Sequence, residues 1–120
     1  MMIRVPLVPP SPNELRRKYR HPHAYRKLRK LWEAELLYGA SCSRHRNELI
    51  ALAEKSIVTV QITVHHTHAF DMDNLMGAQK VILDALRNIH FLANDDAKHL
   101  QLLPPEQVIG KEKYTLVVLR

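Results

Sequence analysis

The longest alternation of hydrophobic and polar residues lies in SIVTVQITVHHTHAF, residues 56–70. Val58, Val60, Ile62 and Val64 share one parity, while threonine, glutamine and histidine fill most of the other. A period of two is typical of a strand with one buried face. We therefore predict a long strand here.

Three shorter stretches also indicate strands. Ile3, Val5 and Leu7 alternate with Arg4 and Pro6, and the proline suits an edge or a strand end. The prolines of PPSPN then end this strand and hold the chain extended, with Ser11 or Asn13 as the cap of the next turn. HLQLL (99–103) and YTLVVL (114–119) read as the last two strands, joined by PPEQVIGKEK.

Helical spacing of apolar residues occurs in three other segments. It predicts helices over residues 24–38 and 44–55, and a third that begins at Leu75, with Asp73 or Asn74 as its cap. The order is therefore β-α-α-β-α-β-β. We expect one α+β domain over residues 1–120, built on one small mixed sheet.

Charge is unevenly distributed. The 18 Lys and Arg residues against 12 Asp and Glu give a net charge of +6. Residues 16–30, which we call the basic arm, contain eight of these cations, no acid, and the interleaved Tyr19 and Tyr25. The alternative to a DNA-binding surface is a solvated helix face. We favour a surface that tracks phosphates and recognises DNA by shape.

Other features limit the location of the protein. No apolar run approaches the roughly 20 residues needed to cross a bilayer. The N-terminus lacks the pattern of an export leader, and a lone Cys42 excludes an internal disulfide. We expect a cytoplasmic protein with no membrane segment and no small-molecule cofactor.

FDMDNL, residues 70–75, carries the candidate chemistry. In an extended backbone, Asp71 and Asp73 project to one side, and two close carboxylates are stabilised by a hard cation. Oxygen ligands suit Mg²⁺, with Mn²⁺ as the alternative. The other interpretation is that Asp73 caps a helix and Asp71 faces solvent.

Lys80 and the pair Asp95 and Asp96 extend this candidate site. Lys80 can reach back along the helix toward the carboxylates, and the loop after the helix can return the pair to the same face. Carboxylates with a lysine suit metal-assisted phosphodiester hydrolysis. Asp84 is interpreted as a surface partner of Lys80 at i,i+4.

The histidines of VHHTHAF suggest a zinc site only weakly. His66 and His68 share one parity and His65 has the other, so the three do not converge on a strand. We interpret His65 as a polar position of a half-buried strand, with a place beside the carboxylates or a phosphate as the alternative.

DMDNLMGAQKVILDALRNIHFLANDD resembles the D-x-D-N, K-x-x-x-D-A-L and D-D signature of the RusA family of Holliday junction resolvases, found in prophages and phages. VPLVPPSPNELRRKYR is similar to the strand, P-P-S-x-N and basic residues of that family. The resemblance covers most of the chain. The interval from Asp73 to Lys80 is longer by nearly one helical turn than in the best-known member.

The resemblance implies a homodimeric, Mg²⁺-dependent endonuclease that makes paired symmetric nicks in four-way DNA junctions during recombination and repair. It implies Asp71, Asp73 and Asp96 as metal ligands and Lys80 as the essential lysine, with Asp95 as the alternative third ligand. The implied DNA-binding residues are Asn13, Arg16, Arg17, Lys18, Arg20 and Lys80.

Two other functions remain open at this point. One is a phage nuclease of branched DNA with loose structural selectivity. The other is a basic DNA-binding protein without catalysis, in which the acids only cap helices and face solvent.

Overall fold

The fold is built around one five-stranded sheet. The computed structural model describes residues 1–42, 46–55, 57–94, 96 and 98–120. The strands within these ranges are β1 (Met2–Val5), β2 (Val58–His66), β3 (Leu100–Leu102), β4 (Glu106–Ile109) and β5 (Tyr114–Leu119). The α+β class and the mixed sheet predicted from the sequence are confirmed.

Strand β2 lies at the centre of the sheet. On one side it pairs antiparallel with β5, which pairs antiparallel with β1. On its other side β2 pairs in parallel with two short strands in succession, β3 beside its first residues and β4 beside its last. Residues 103–105, which include Pro104 and Pro105, separate those two strands. This edge of the sheet therefore consists of two short strands with a gap between them.

Five helices are described: α1 (Pro12–Lys18), α2 (Pro22–Cys42), α3 (Arg46–Lys55), α4 (Met72–Gly77) and α5 (Lys80–Asn88). Helices α4 and α5 connect β2 to the parallel β3. Such a crossover carries the chain from the C-terminal end of one strand to the N-terminal end of the next. This topology determines at which end of the strands each candidate residue lies.

The buried face of β2 has the predicted parity, with Val58, Val60, Ile62 and Val64 at most 1% exposed. It forms one core with Trp32 and other apolar residues of the helices. Helix α2 packs against both α5 and β1. The part of the basic arm that lies on the first turns of α2 is thereby held beside α5.

Three elements differ from the sequence prediction. Helix α1 begins at Pro12, inside the segment PPSPN that was expected to be extended, because a proline fits the first helical turn. Ser11, one of the two predicted caps, is its N-cap. Strand β4 forms within the predicted connection PPEQVIGKEK. The helix predicted from Leu75 is divided into α4 and α5 by Ala78 and Gln79. Residue 44, the predicted start of the second helix, lies outside the described residues.

Candidate functional site

The chain between β2 and α4 is held by one glutamine of the neighbouring strand. Gln107 of β4 accepts a hydrogen bond from the Phe70 amide (3.0 Å) and donates one to the Phe70 carbonyl (2.8 Å). Its Oε1 also lies 2.9 Å from Nε2 of buried His66. Asp71, the next residue, therefore starts from a fixed backbone at the C-terminal end of β2.

Asp71 is the N-cap of α4. Its Oδ1 accepts a bond from the Asn74 amide (2.8 Å) and its Oδ2 one from Asn74 Nδ2 (3.3 Å). The prediction that Asp73 or Asn74 caps this helix is wrong, because the helix begins at Met72. The extended backbone assumed for the pair also ends at Asp71. Asp71 and Asp73 are both exposed, on the first turn of α4.

Lys80 opens α5, beyond the break in the helix. The break is made by Ala78 and Gln79, whose amides bond to the carbonyls of Asn74 and Met76. The Lys80 ammonium lies 5.5 Å from the ring centroid of Tyr25. The Lys80 side chain therefore contacts a ring of the basic arm. The sequence had predicted that this side chain points toward Asp71 and Asp73.

Asp96 lies near the N-terminal end of β2, whereas Asp71 lies beyond its C-terminal end. The Leu100 amide bonds to the Asp96 carbonyl, and Leu100 pairs with Val58 at the start of β2. Gln107, which holds Phe70, pairs with Val64. Six residues of strand separate those two levels, about 20 Å at ~3.3 Å per residue. The expected return of this loop to the carboxylate pair is not observed.

The Asp96 carboxylate has a local partner. His99 Nδ1 lies 2.6 Å from its Oδ1, and the hydrogen bond with His99 lowers the pKa of Asp96. The Lys98 amide also donates to the same oxygen at 3.2 Å. Asp95, the alternative third ligand, lies outside the described residues.

Among the described residues, the candidate metal ligands are therefore reduced to Asp71 and Asp73. Within the described ranges, no three His, Cys, Asp or Glu side chains are grouped so as to hold a metal ion. Asp71 uses two of the roughly four lone-pair positions of a carboxylate for capping. Mg²⁺ is commonly held by one or two carboxylates together with substrate phosphates. Asp71 and Asp73 fit that donor chemistry, without Asp96.

Asp84 is a structural acid of the interface between α2 and α5. Its Oδ2 accepts a hydrogen bond from the Tyr25 hydroxyl, and its Oδ1 lies 3.5 Å from Arg87 Nη2. The side chain is only 19% exposed, which corrects its assignment to the exposed face. Burial, followed by this bond to Asp84, raises the pKa of Tyr25.

A groove runs between α1 and α2 on one wall and α5 on the other. It consists of two adjoining clefts of about 590 Å³ each, which share Leu15, Arg16 and Lys80. We call it the arm groove. Its first cleft is also lined by Tyr19, Arg20, Pro22 and Tyr25. Its second cleft is also lined by Pro12, Met76, Gly77, Gln79, Leu83, Asp84 and Leu102. The structure thus brings Lys80 together with part of the basic arm.

The predicted DNA-binding residues lie on and beside α1. Arg16 and Arg20 line the arm groove, and Asn13 Oδ1 accepts a bond from Arg16 Nη2 (2.8 Å). Arg17 is exposed. Lys18 is also exposed, and its ammonium lies 3.8 Å from the Glu14 carboxylate. This ion pair is exposed to solvent and is therefore weak. These residues therefore present positive charge to solvent.

The histidines of VHHTHAF lie in different surroundings. His66 is buried against Gln107, and its ring meets Phe70 edge-on. His65 stacks on Tyr114 with ring centroids 4.1 Å apart. His68 is exposed. His65 is therefore a polar position of β2, as interpreted from the sequence, whereas His68 lies beyond the end of the strand.

Gly77 was not singled out by the sequence, although it fixes one wall of the arm groove. A Cβ at Gly77 would lie 2.4 Å from Cγ of Pro12. The start of α1 therefore rests directly on the end of α4. An isolated glycine in a helical pattern followed by a break was the signal available for this close approach.

The chain was compared with known proteins. No protein-family model matches it, and no curated protein matches it. In the described part of the chain, no helix has the length and apolar character needed to cross a membrane.

Proposed function

We propose that this protein is a metal-dependent endonuclease that resolves four-way DNA junctions in the cytoplasm, as its resemblance to the RusA family implies. The observation that carries the proposal is the shared groove of Lys80, Arg16 and Arg20. A candidate catalytic lysine beside two arginines suits a DNA backbone, because phosphate contacts provide most of the affinity for nucleic acid.

Asp71 and Asp73 are the proposed ligands of Mg²⁺, with Mn²⁺ as the alternative. Both are exposed on the first turn of α4, where a DNA phosphate can complete the coordination. The bound ion would activate water and stabilise the leaving oxygen. Lys80 would neutralise charge on the phosphate. Asp96 is outside this set because it lies near the opposite end of β2.

Paired symmetric nicks require two active sites, and a two-fold symmetric homodimer provides them. The dimer is therefore part of the proposal.

The test uses a labelled four-way junction and a linear duplex of matched sequence, each incubated with Mg²⁺ and with a chelator. We expect paired nicks in the junction with Mg²⁺ only, and an intact duplex. Asp73→Asn is the control for contaminating nuclease. Nicking of flaps and forks at similar rates would instead identify a branched-DNA nuclease with loose selectivity.

A second candidate is a basic DNA-binding protein without catalysis. It is favoured by the absence of a three-carboxylate group among the described residues. It predicts that the junction is bound equally well with Mg²⁺ and with chelator, and that no strand is cut under either condition.

A further inference from the structure

The first cleft of the arm groove combines aromatic rings with cations. Tyr19 and Tyr25 line it together with Arg16, Arg20 and Lys80. We propose that this cleft binds an unpaired nucleotide, with its base on the Tyr19 ring and its flanking phosphates on the three cations. The inference rests on the proposed function and deepens it by naming the part of the DNA that enters the groove.

Tyr25 is fixed before any ligand arrives. Its hydroxyl is bonded to Asp84, its backbone amide bonds to the His21 carbonyl, and the Lys80 ammonium lies over its ring. The fixed Tyr25 ring therefore helps to hold the Lys80 ammonium in the cleft, so that little conformational freedom is lost when a phosphate binds there. Tyr19, the C-cap of α1, is half-buried like Tyr25.

The cations account for phosphates but not for the rings. A surface that only follows the backbone of a duplex needs charge to bind phosphates. It has no use for aromatic rings, because the faces of paired bases are already stacked on each other. Aromatic side chains in a positively charged groove are typical of proteins that bind single strands, where every base offers a free face. The cleft volume of about 590 Å³ lies in the range of small-ligand sites. An unpaired nucleotide therefore explains both features.

The test compares two single strands of about 12 nucleotides, within the usual site sizes of single-strand binders. One is an oligothymidylate and the other is an abasic strand with the same number of phosphates. Binding is followed by fluorescence anisotropy in chelator, so that neither metal nor cleavage is needed. We expect the thymidylate to bind at least about fivefold more tightly.

Variants assign the difference to the rings. Tyr19→Leu should weaken thymidylate binding by about fivefold or more and leave the abasic strand unchanged. Tyr25→Phe keeps the ring and should retain the preference. Tyr38→Leu is the matched control, because Tyr38 is 70% exposed near the far end of α2.

The outcomes separate two failures. Equal affinity of the wild-type protein for both strands, or equal weakening of both by Tyr19→Leu, would overturn the nucleotide cleft and leave the proposed nuclease intact. A protein that binds neither these strands nor a junction would overturn both.

Discussion

The hydroxyl of Tyr25 on α2 donates a hydrogen bond to the Asp84 carboxylate on α5, 59 positions further along the chain. The bond joins the basic arm to the helix that begins with Lys80. The position of the arm groove therefore depends on a tyrosine and an acid that the sequence assigned to other roles.

The first prediction concerns alkaline pH. Because burial and the hydrogen bond to Asp84 raise the pKa of Tyr25 in the folded protein, this tyrosine should ionise above the usual tyrosine pKa of about 10. The stability it contributes is present below about pH 10 and is lost as pH rises above that value. Tyrosinate absorbance should show one late step, absent in Tyr25→Phe. A Tyr25→Phe titration with the same late step would assign it to another tyrosine.

The second prediction separates two acids. Asp84→Ala leaves the Tyr25 hydroxyl without its acceptor and should lower the free energy of unfolding by about 1–3 kcal/mol. Asp73→Asn changes an exposed residue and should shift it by less than about 0.5 kcal/mol, while abolishing cleavage. Denaturant unfolding and junction cleavage are measured on both. Equal loss of cleavage per folded molecule would contradict this division.

The third prediction tests the contact between α1 and α4. Gly77→Ala places a methyl group 2.4 Å from Pro12. We expect it to cost about 1–3 kcal/mol of stability and to weaken DNA binding, because α1 carries Arg16. Gly110→Ala is the control, since a Cβ there meets no atom within 4 Å. Equal stability of the two variants would mean that α1 moves aside without strain.

The fourth prediction concerns Lys80. If its ammonium stabilises charge that develops on the phosphate, Lys80→Ala should lower the single-turnover rate at saturating protein on the order of 10²-fold, with little loss of affinity. Lys80→Arg should rescue poorly, because a planar guanidinium does not replace a compact ammonium. Weaker binding with a normal saturated rate, rescued by arginine, would make Lys80 a phosphate-binding residue of the arm groove.

The fifth prediction is a salt dependence. Each phosphate contact changes the log-log slope of duplex affinity against salt by roughly 0.9. Replacing Arg16, Arg17 and Lys18 by alanine should therefore flatten the slope by about 2 to 3 units. Arg4→Ala is the control, because Arg4 lies on β1 over Tyr114. An unchanged slope in the triple variant would assign α1 to an idle surface.

Local pattern predicted the elements whose burial is decided by adjacent residues. The alternation of β2 could be predicted because a period of two leaves only one set of side chains to bury. Helix α1 could not be predicted, because the prolines before it and at its first position suggested an extended chain. The division between α4 and α5 also escaped prediction, because Leu75, Ala78 and Ile82 continue one apolar stripe across it.

The candidate site was only partly predictable for a topological reason. Asp96 follows the helices closely in sequence, and a loop there could have turned toward either end of the strands. The parallel pairing of β2 with β3 determines the position of Asp96, because β3 must begin at the N-terminal end of β2, away from Asp71. The direction of pairing is a long-range property that no local spacing contains.

The interrupted edge of the sheet also bears on how the protein behaves at high concentration. Continuous edge strands invite pairing with other molecules and so lead to aggregation. Beside β2, the outer edge offers three residues in β3 and four in β4, separated by a segment with two prolines that cannot donate a backbone hydrogen bond. Replacing Pro104 and Pro105 by residues that form strands well would therefore be expected to lower solubility before it harms folding.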